Sequence, residues 1–215
     1  MTQLEKYIDH TLLKPTATIA DIKKLCHEAK EHRFKAVCVQ GCHLELAKEE
    51  LGGGSTLLAT VLGFPLGGMS TKAKIGEAKD YIEKGADELD MVLNIGWLKS
   101  GLDSLVQEEI RQIKQITGDK ILKVILETCF LTDDEKKKAS HLAVEAGADF
   151  IKTSTGFGSG GATFEDVRLI KSVVGDNALI KASGGIKDRP TAVKYIEMGV
   201  SRIGTSSGPQ LIKTS

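Results

Sequence analysis

Residues 146–158 read Ala146-Gly147-Ala148-Asp149-Phe150-Ile151-Lys152-Thr153-Ser154-Thr155-Gly156-Phe157-Gly158. A glycine suited to a left-handed helix stop leads into a short apolar run, the run carries a lysine, and a loop of small residues follows. Phe150-Ile151-Lys152-Thr153 therefore reads as a short buried strand with a charge where burial makes charge costly. The next apolar run repeats the design: Leu179-Ile180-Lys181-Ala182, then Ser183-Gly184-Gly185-Ile186.

Working outward, further β-branched or apolar runs occur at Ala36–Val39, Leu57–Gly63, Leu89–Ile95, Leu122–Leu126 and Arg202–Thr205, and Ile8–Leu13 supplies an eighth. Between them lie charged, amphipathic stretches with helix starts at Thr18/Asp21, Thr132/Glu135 and Thr163/Asp166, each with capping-box spacing. The turns Lys84-Gly85-Ala86-Asp87, Ala146-Gly147-Ala148-Asp149 and Met198-Gly199-Val200-Ser201 echo one another, each joining a helical stretch to a strand. Gly52-Gly53-Gly54-Ser55 reads as a tight turn of the same kind and not as a linker. Alternating strands and helices imply a parallel sheet. An open doubly wound sheet satisfies that pattern as well as a closed barrel does, so the chemistry of the strands has to decide.

Charge inside a doubly covered strand is tolerated where it projects into a site at the strand's C-terminal end. Asp90, Lys123, Glu127, Lys152 and Lys181 all stand in or beside predicted strands, and in a barrel such positions converge on one cavity. The reading is a single (β/α)8 TIM barrel over residues 1–215. A chain of 215 residues suits one such unit.

The formal net charge is zero, which provides no basic face for nucleic acid. The four cysteines are too few for a disulfide framework, and the first fourteen residues contain acids and no apolar signal core. These features point to the cytoplasm. No apolar run approaches the roughly 18 residues of a membrane span.

Lys152 and Lys181 on paired strands would place two ammonium groups roughly 5 Å apart, repelling by about 3 kcal/mol at an effective dielectric near 20. Such repulsion, with some desolvation, turns a lysine into an amine nucleophile near neutral pH. Asp90 is the best placed acid to keep the partner lysine charged and relay protons. A structural ion-pair network is the competing reading for a single lysine; two on neighbouring strands favour chemistry. The small residues after the last three strands, including Ile203-Gly204-Thr205-Ser206-Ser207-Gly208, let backbone N–H groups approach an anion, which implies a phosphorylated substrate.

Three motifs are set aside. Gly156-Phe157-Gly158-Ser159-Gly160-Gly161 fits the dinucleotide pattern, but Lys181 stands where the ribose-binding acid belongs. Cys38, Cys42 and His43 have no second ligand cluster, so neither a metal nor any other cofactor is expected. His10 either orients a group in the cavity or is a satisfied core histidine.

Taken together, Asp9-His10-Thr11-Leu12-Leu13-Lys14-Pro15, Val61 to Gly67, Glu88 to Gly96, Lys123 to Thr128, Phe150 to Phe157, Lys181 to Ile186 and Arg202 to Ser207 resemble the deoxyribose-phosphate aldolase family over nearly the whole chain. The resemblance implies a metal-free class I aldolase that reversibly cleaves 2-deoxy-D-ribose 5-phosphate to acetaldehyde and D-glyceraldehyde 3-phosphate. It implies Lys152 as the Schiff-base lysine, Lys181 and Asp90 as proton donors and acceptors, and Asp9 as a member of the polar network. It further implies a phosphate site at Gly156, Gly184, Gly185, Gly204, Ser206 and Ser207, with Cys38 near the cavity but outside the chemistry.

The chain departs from the family at Gln40-Gly41, where many relatives have Asn-Pro, and at its end, Leu211 to Ser215, which lacks the family's tyrosine tail. That departure predicts slower proton exchange at the enamine, or a substitute group. The remaining expectations are a small phosphorylated sugar as ligand and assembly as a homodimer or homotetramer. A non-catalytic phosphosugar-binding barrel and a phosphosugar isomerase are the alternatives.

Overall fold

A computed structural model describes residues 3–213. The strands are β1 (Ile8–Leu12), β2 (Ala36–Val39), β3 (Leu57–Leu62), β4 (Glu88–Val92), β5 (Ile121–Ile125), β6 (Phe150–Lys152), β7 (Leu179–Ser183) and β8 (Arg202–Thr205). Each pairs in parallel with the next, and β8 returns to β1 through Asp9↔Gly204 and His10↔Thr205, closing the barrel. Closure decides between the two architectures that the alternating pattern left open, in favour of the barrel. Thr214 and Ser215, at the tail on which the missing tyrosine was read, lie outside the described residues.

The helices are α1 (Ile19–Glu31), α2 (Leu44–Leu51), α3 (Thr71–Glu83), α4 (Ile95–Lys99), α5 (Asp103–Thr117), α6 (Asp133–Glu145), α7 (Phe164–Val174), α8 (Arg189–Glu197) and α9 (Gly208–Ile212). They bury one stripe each. In α1 the stripe is Ile22, Leu25, Cys26 and Ala29, the spacing of a single helical face. Thr18/Asp21 and Thr132/Glu135 form complete capping boxes. Thr163 forms only half of one: its hydroxyl accepts from the Asp166 N–H, but the Asp166 carboxylate is held by Lys136 at 2.7 Å. The charged partner won the carboxylate, and the expected box is corrected to a simple N-cap. Gly85, Gly147 and Gly199 have φ of 91°, 90° and 91°, so the repeated turn is one backbone device used three times.

Alternate strand residues enter the barrel, and the registers stack them in tiers drawn from alternate strands. Ala36, Glu88, Phe150 and Arg202 form the lowest tier; Asp9, Ala59, Lys123 and Lys181 the next; Cys38, Asp90, Lys152 and Gly204 the one beneath the C-terminal mouth. Barrels are usually filled with branched apolar residues, but here most strands contribute charge. The exception is the β2–β3 side, where Leu13, Cys38, Ala59 and Val61 pack with Phe64 into a separate apolar cluster. The interior therefore has an oily wall facing an ionic one. Among the described residues, no helix is long and apolar enough to cross a membrane.

Candidate active site

The β6–β7 register pairs Lys152 with Lys181 directly, so both side chains enter the barrel at neighbouring points. Both donate to one oxygen of Asp90 on β4, Lys152 at 2.7 Å and Lys181 at 2.8 Å. Lys123 donates to the other Asp90 oxygen at 2.7 Å and to Glu88 at 2.6 Å. Lys181 also reaches Asp9 at 2.5 Å, and Arg202 spans Asp9 at 2.6 Å and Glu88. Every one of these side chains is 4% exposed or less, so each polar atom must find its partner within the cluster.

The cations are Lys123, Lys152, Lys181 and Arg202; the anions are Asp9, Glu88 and Asp90. The cluster balances only if one lysine is neutral, and an unbalanced buried charge is expensive. Burial is the leading influence on Lys152 and lowers its pKa; attraction by Asp90 opposes this and repulsion by Lys181 adds to it, and the result lies below the ordinary lysine value of 10.5. The expected order, repulsion before burial, is reversed because Lys152 is enclosed and not merely beside a like charge.

In Lys181 burial works the same way but is overcome by Asp9 and Asp90, which raise its pKa. Lys123 is raised likewise by Asp90 and Glu88. Burial raises Asp9, but Lys181, Arg202 and Lys123 prevail and hold it at about 2. Asp90, against the same burial, is held well below the carboxylate range by Lys123, Lys152 and Lys181. Of the three lysines in the cluster, Lys152 alone has its pKa lowered.

Lys152 reaches a cavity of about 330 Å³ at the C-terminal mouth, large enough for a small ligand. Gly156, Gly184, Gly185, Gly204 and Ser206 line it, with Thr155, Phe157 and Ser183. Ser207 does not line the cavity; its N–H turns back to the Thr205 hydroxyl at 3.0 Å, and the chain there enters α9. Gly184 has φ of 88°, and a Cβ there would stand 2.9 Å from the Gly161 Cα, so two loops meet backbone to backbone. At Gly204 a Cβ would come within 3.0 Å of the Lys181 Cε, so glycine leaves that lysine its room.

Several participants escaped sequence reasoning. Glu88 and Arg202 open their strands, where a charge reads as a solvent-facing end; for Glu88 the signal was Asp90 two residues on, which lies on the same face of the strand, whereas the Arg202 strand carries no second charge to point inward. Lys14 and Lys187 add cationic side chains to the cavity wall from loops after β1 and β7. His10 points the other way: its Nε2 meets Glu28 of α1 at 2.8 Å, between barrel and helix layer, so it orients nothing in the cavity. Cys38 lies buried in the interior while Cys42 is exposed, which separates the two thiols of the rejected metal motif.

The family model of the DeoC/LacD family aldolases matches residues 4–208. A deoxyribose-phosphate aldolase of Finegoldia magna is 56% identical over 211 residues, spanning 98% of this chain and 99% of its own. That of Brevibacillus brevis is 54% identical over 97% of this chain and 95% of its own. Among solved structures, the aldolase QR15 superposes with a TM-score of 0.94 at 44% identity, covering 98% of this chain and 95% of its own. The deoxyribose phosphate aldolase of Aeropyrum pernix, described as tetrameric, gives 0.88 at 32% identity, covering 97% and 88%. With its barrel, its buried lysine pair and this agreement along nearly all of its length, the chain belongs to the DeoC/LacD family of aldolases.

Proposed function

We propose that this protein is a class I aldolase that reversibly cleaves 2-deoxy-D-ribose 5-phosphate to acetaldehyde and D-glyceraldehyde 3-phosphate, with Lys152 as the nucleophile. The observation that carries the reading is a lysine enclosed at a cavity mouth, its pKa lowered, in a cluster that balances without its charge.

The neutral Nζ attacks the open-chain aldehyde carbon, and loss of water leaves a protonated imine. A base takes the proton of the C3 hydroxyl, the C2–C3 bond breaks, and its electron pair flows into the imine to give an enamine. D-Glyceraldehyde 3-phosphate departs, C2 takes up a proton, and water releases acetaldehyde and the free amine. Asp90 and Lys181, sharing a hydrogen bond beside Lys152, are the groups that carry these protons. Asp9, bound to both Lys181 and Arg202, keeps Lys181 charged. The phosphate sits at Gly156, Gly184, Gly185, Gly204 and Ser206, with Lys14 and Lys187 adding positive charge.

Borohydride reduction in the presence of acetaldehyde or 2-deoxyribose 5-phosphate should fix a covalent adduct that peptide mapping assigns to Lys152. An active sample without adduct would remove the covalent mechanism and restore the isomerase reading.

The pH profile supplies a second test. Because the pKa of Lys152 is lowered, the free amine grows in as pH rises through that value, so kcat/KM should climb along a limb that lies below pH 10.5. In Lys181→Met the repulsion is gone and the limb should move to higher pH. A limb that stays in place would mean that burial alone tunes Lys152.

Assembly as a homodimer or homotetramer belongs to the same proposal, supported by the tetrameric description of the A. pernix relative. So does a cytoplasmic setting, supported by four cysteines that all remain free thiols.

A further inference from the structure

Glu127 is a buried acid that the mechanism does not use. It follows β5, is 2% exposed, and has φ of 54° and ψ of 65°, a left-handed conformation that a non-glycine residue holds only when its surroundings impose it. Both of its carboxylate oxygens are engaged by a single residue: the Thr155 N–H donates to Oε1 at 3.2 Å, and the Thr155 hydroxyl donates to Oε2. Among the described residues no cation pairs with it. A carboxylate buried for the sake of an ion pair would have one; this one is spent on holding a loop.

The hold extends along that loop. With its proton committed to Glu127, the Thr155 oxygen accepts from the Phe157 N–H at 3.0 Å, folding Thr155-Gly156-Phe157 into a tight turn. The backbone beside Glu127 adds another tie, since the Thr128 N–H donates to the Thr153 carbonyl at 3.0 Å. Gly158 lies flat against the carboxyl: a Cβ there would be 3.1 Å from the Glu127 Cδ and 2.8 Å from the Cys129 Sγ. Thr155, Gly156 and Phe157 all line the cavity, and their turn begins three residues after Lys152, which ends β6. The acid at the end of one strand thus shapes the cavity wall built by the next.

We infer that Glu127 is a positioning residue, which sets the Thr155–Phe157 turn to grip the phosphate end of the substrate. This rests on the aldolase reading above. Glu127 acts through Thr155 and touches no reacting atom, so its loss should fall on recognition of the phosphate and not on imine formation.

The test compares 2-deoxyribose 5-phosphate with unphosphorylated 2-deoxyribose in Glu127→Ala and in Thr155→Val, which removes the hydroxyl but retains the Glu127 backbone. Both variants should raise KM for the phosphorylated sugar by about tenfold or more, because small displacements of positioning groups are costly. The preference for the phosphorylated over the unphosphorylated sugar should shrink by the same factor, with kcat and borohydride trapping of acetaldehyde much less affected. Equal losses on both sugars, or unchanged KM in either folded variant, would overturn the inference. Absence of acetaldehyde trapping in the parent protein would instead strike the aldolase reading, so the two failures are distinct.

Discussion

Lys152→Ala is expected to reduce carbon–carbon cleavage by at least about 10⁴-fold, because no other group supplies the covalent electron sink and the residual rate reflects binding alone. Borohydride should trap nothing at position 152. Lys181 offers no replacement nucleophile: Asp9 and Asp90 hold its pKa up, so it remains an ammonium throughout the physiological range. The fold should survive, and the charge count says why. Removing Lys152 leaves Lys123, Lys181 and Arg202 against Asp9, Glu88 and Asp90, a balanced set. The thermal midpoint of the variant should therefore match or exceed that of the parent. Near-parental turnover in Lys152→Ala would sink the Schiff-base mechanism, since an isomerase working through its carboxylates would retain its activity. A folded, inactive variant would leave it standing.

Much of this architecture was legible in the order of residues, because parallel strands buried on both faces need continuous apolar runs and the loops need their glycines. Ala36–Val39 and Arg202–Thr205 were read with the ends they have. The fourth strand was read as Leu89–Ile95 but spans Glu88–Val92, since the Asn94 side chain accepts from the Trp97 N–H at 3.1 Å and starts α4. An apolar run that passes from strand into a short helix gives no hydropathy signal at the junction. What no local pattern carries is closure: the β1–β8 pairing joins residues nearly the whole chain apart, and the ionic cluster exists only once it forms. Arg202 meets Asp9 and Glu88 across that closed interior, so its role was invisible to a reading made strand by strand. Lys152 and Lys181 were recognised because adjacent strands share a register. Their enclosure, which decides the pKa of Lys152, is a property of the finished barrel.

Asp90→Asn should separate two functions that Asp90 combines. Three lysine side chains donate to its two oxygens, and the carboxylate is fully buried. An amide offers one acceptor oxygen and confronts the remaining donors with an NH2 group. Breaking a buried pair in this way costs about 3–5 kcal/mol, so the variant should melt well below the parent, in contrast to Lys152→Ala. Loss of the anion also removes the attraction that opposes the lowering of the Lys152 pKa. The free amine is then more available, and acetaldehyde should still be trapped at Lys152. Turnover, which needs protons moved at each bond-making step, should fall by about 10²–10⁴-fold. If trapping and turnover fall together, Asp90 serves to hold Lys152 in place and not to carry protons. The residual activity bears a further signature: with attraction removed, the rising limb of its pH profile should move to lower pH, whereas Lys181→Met, with repulsion removed, should move it to higher pH. Opposite displacements from two neighbours of one lysine are what electrostatic tuning requires, and a general loosening of the site would not produce them.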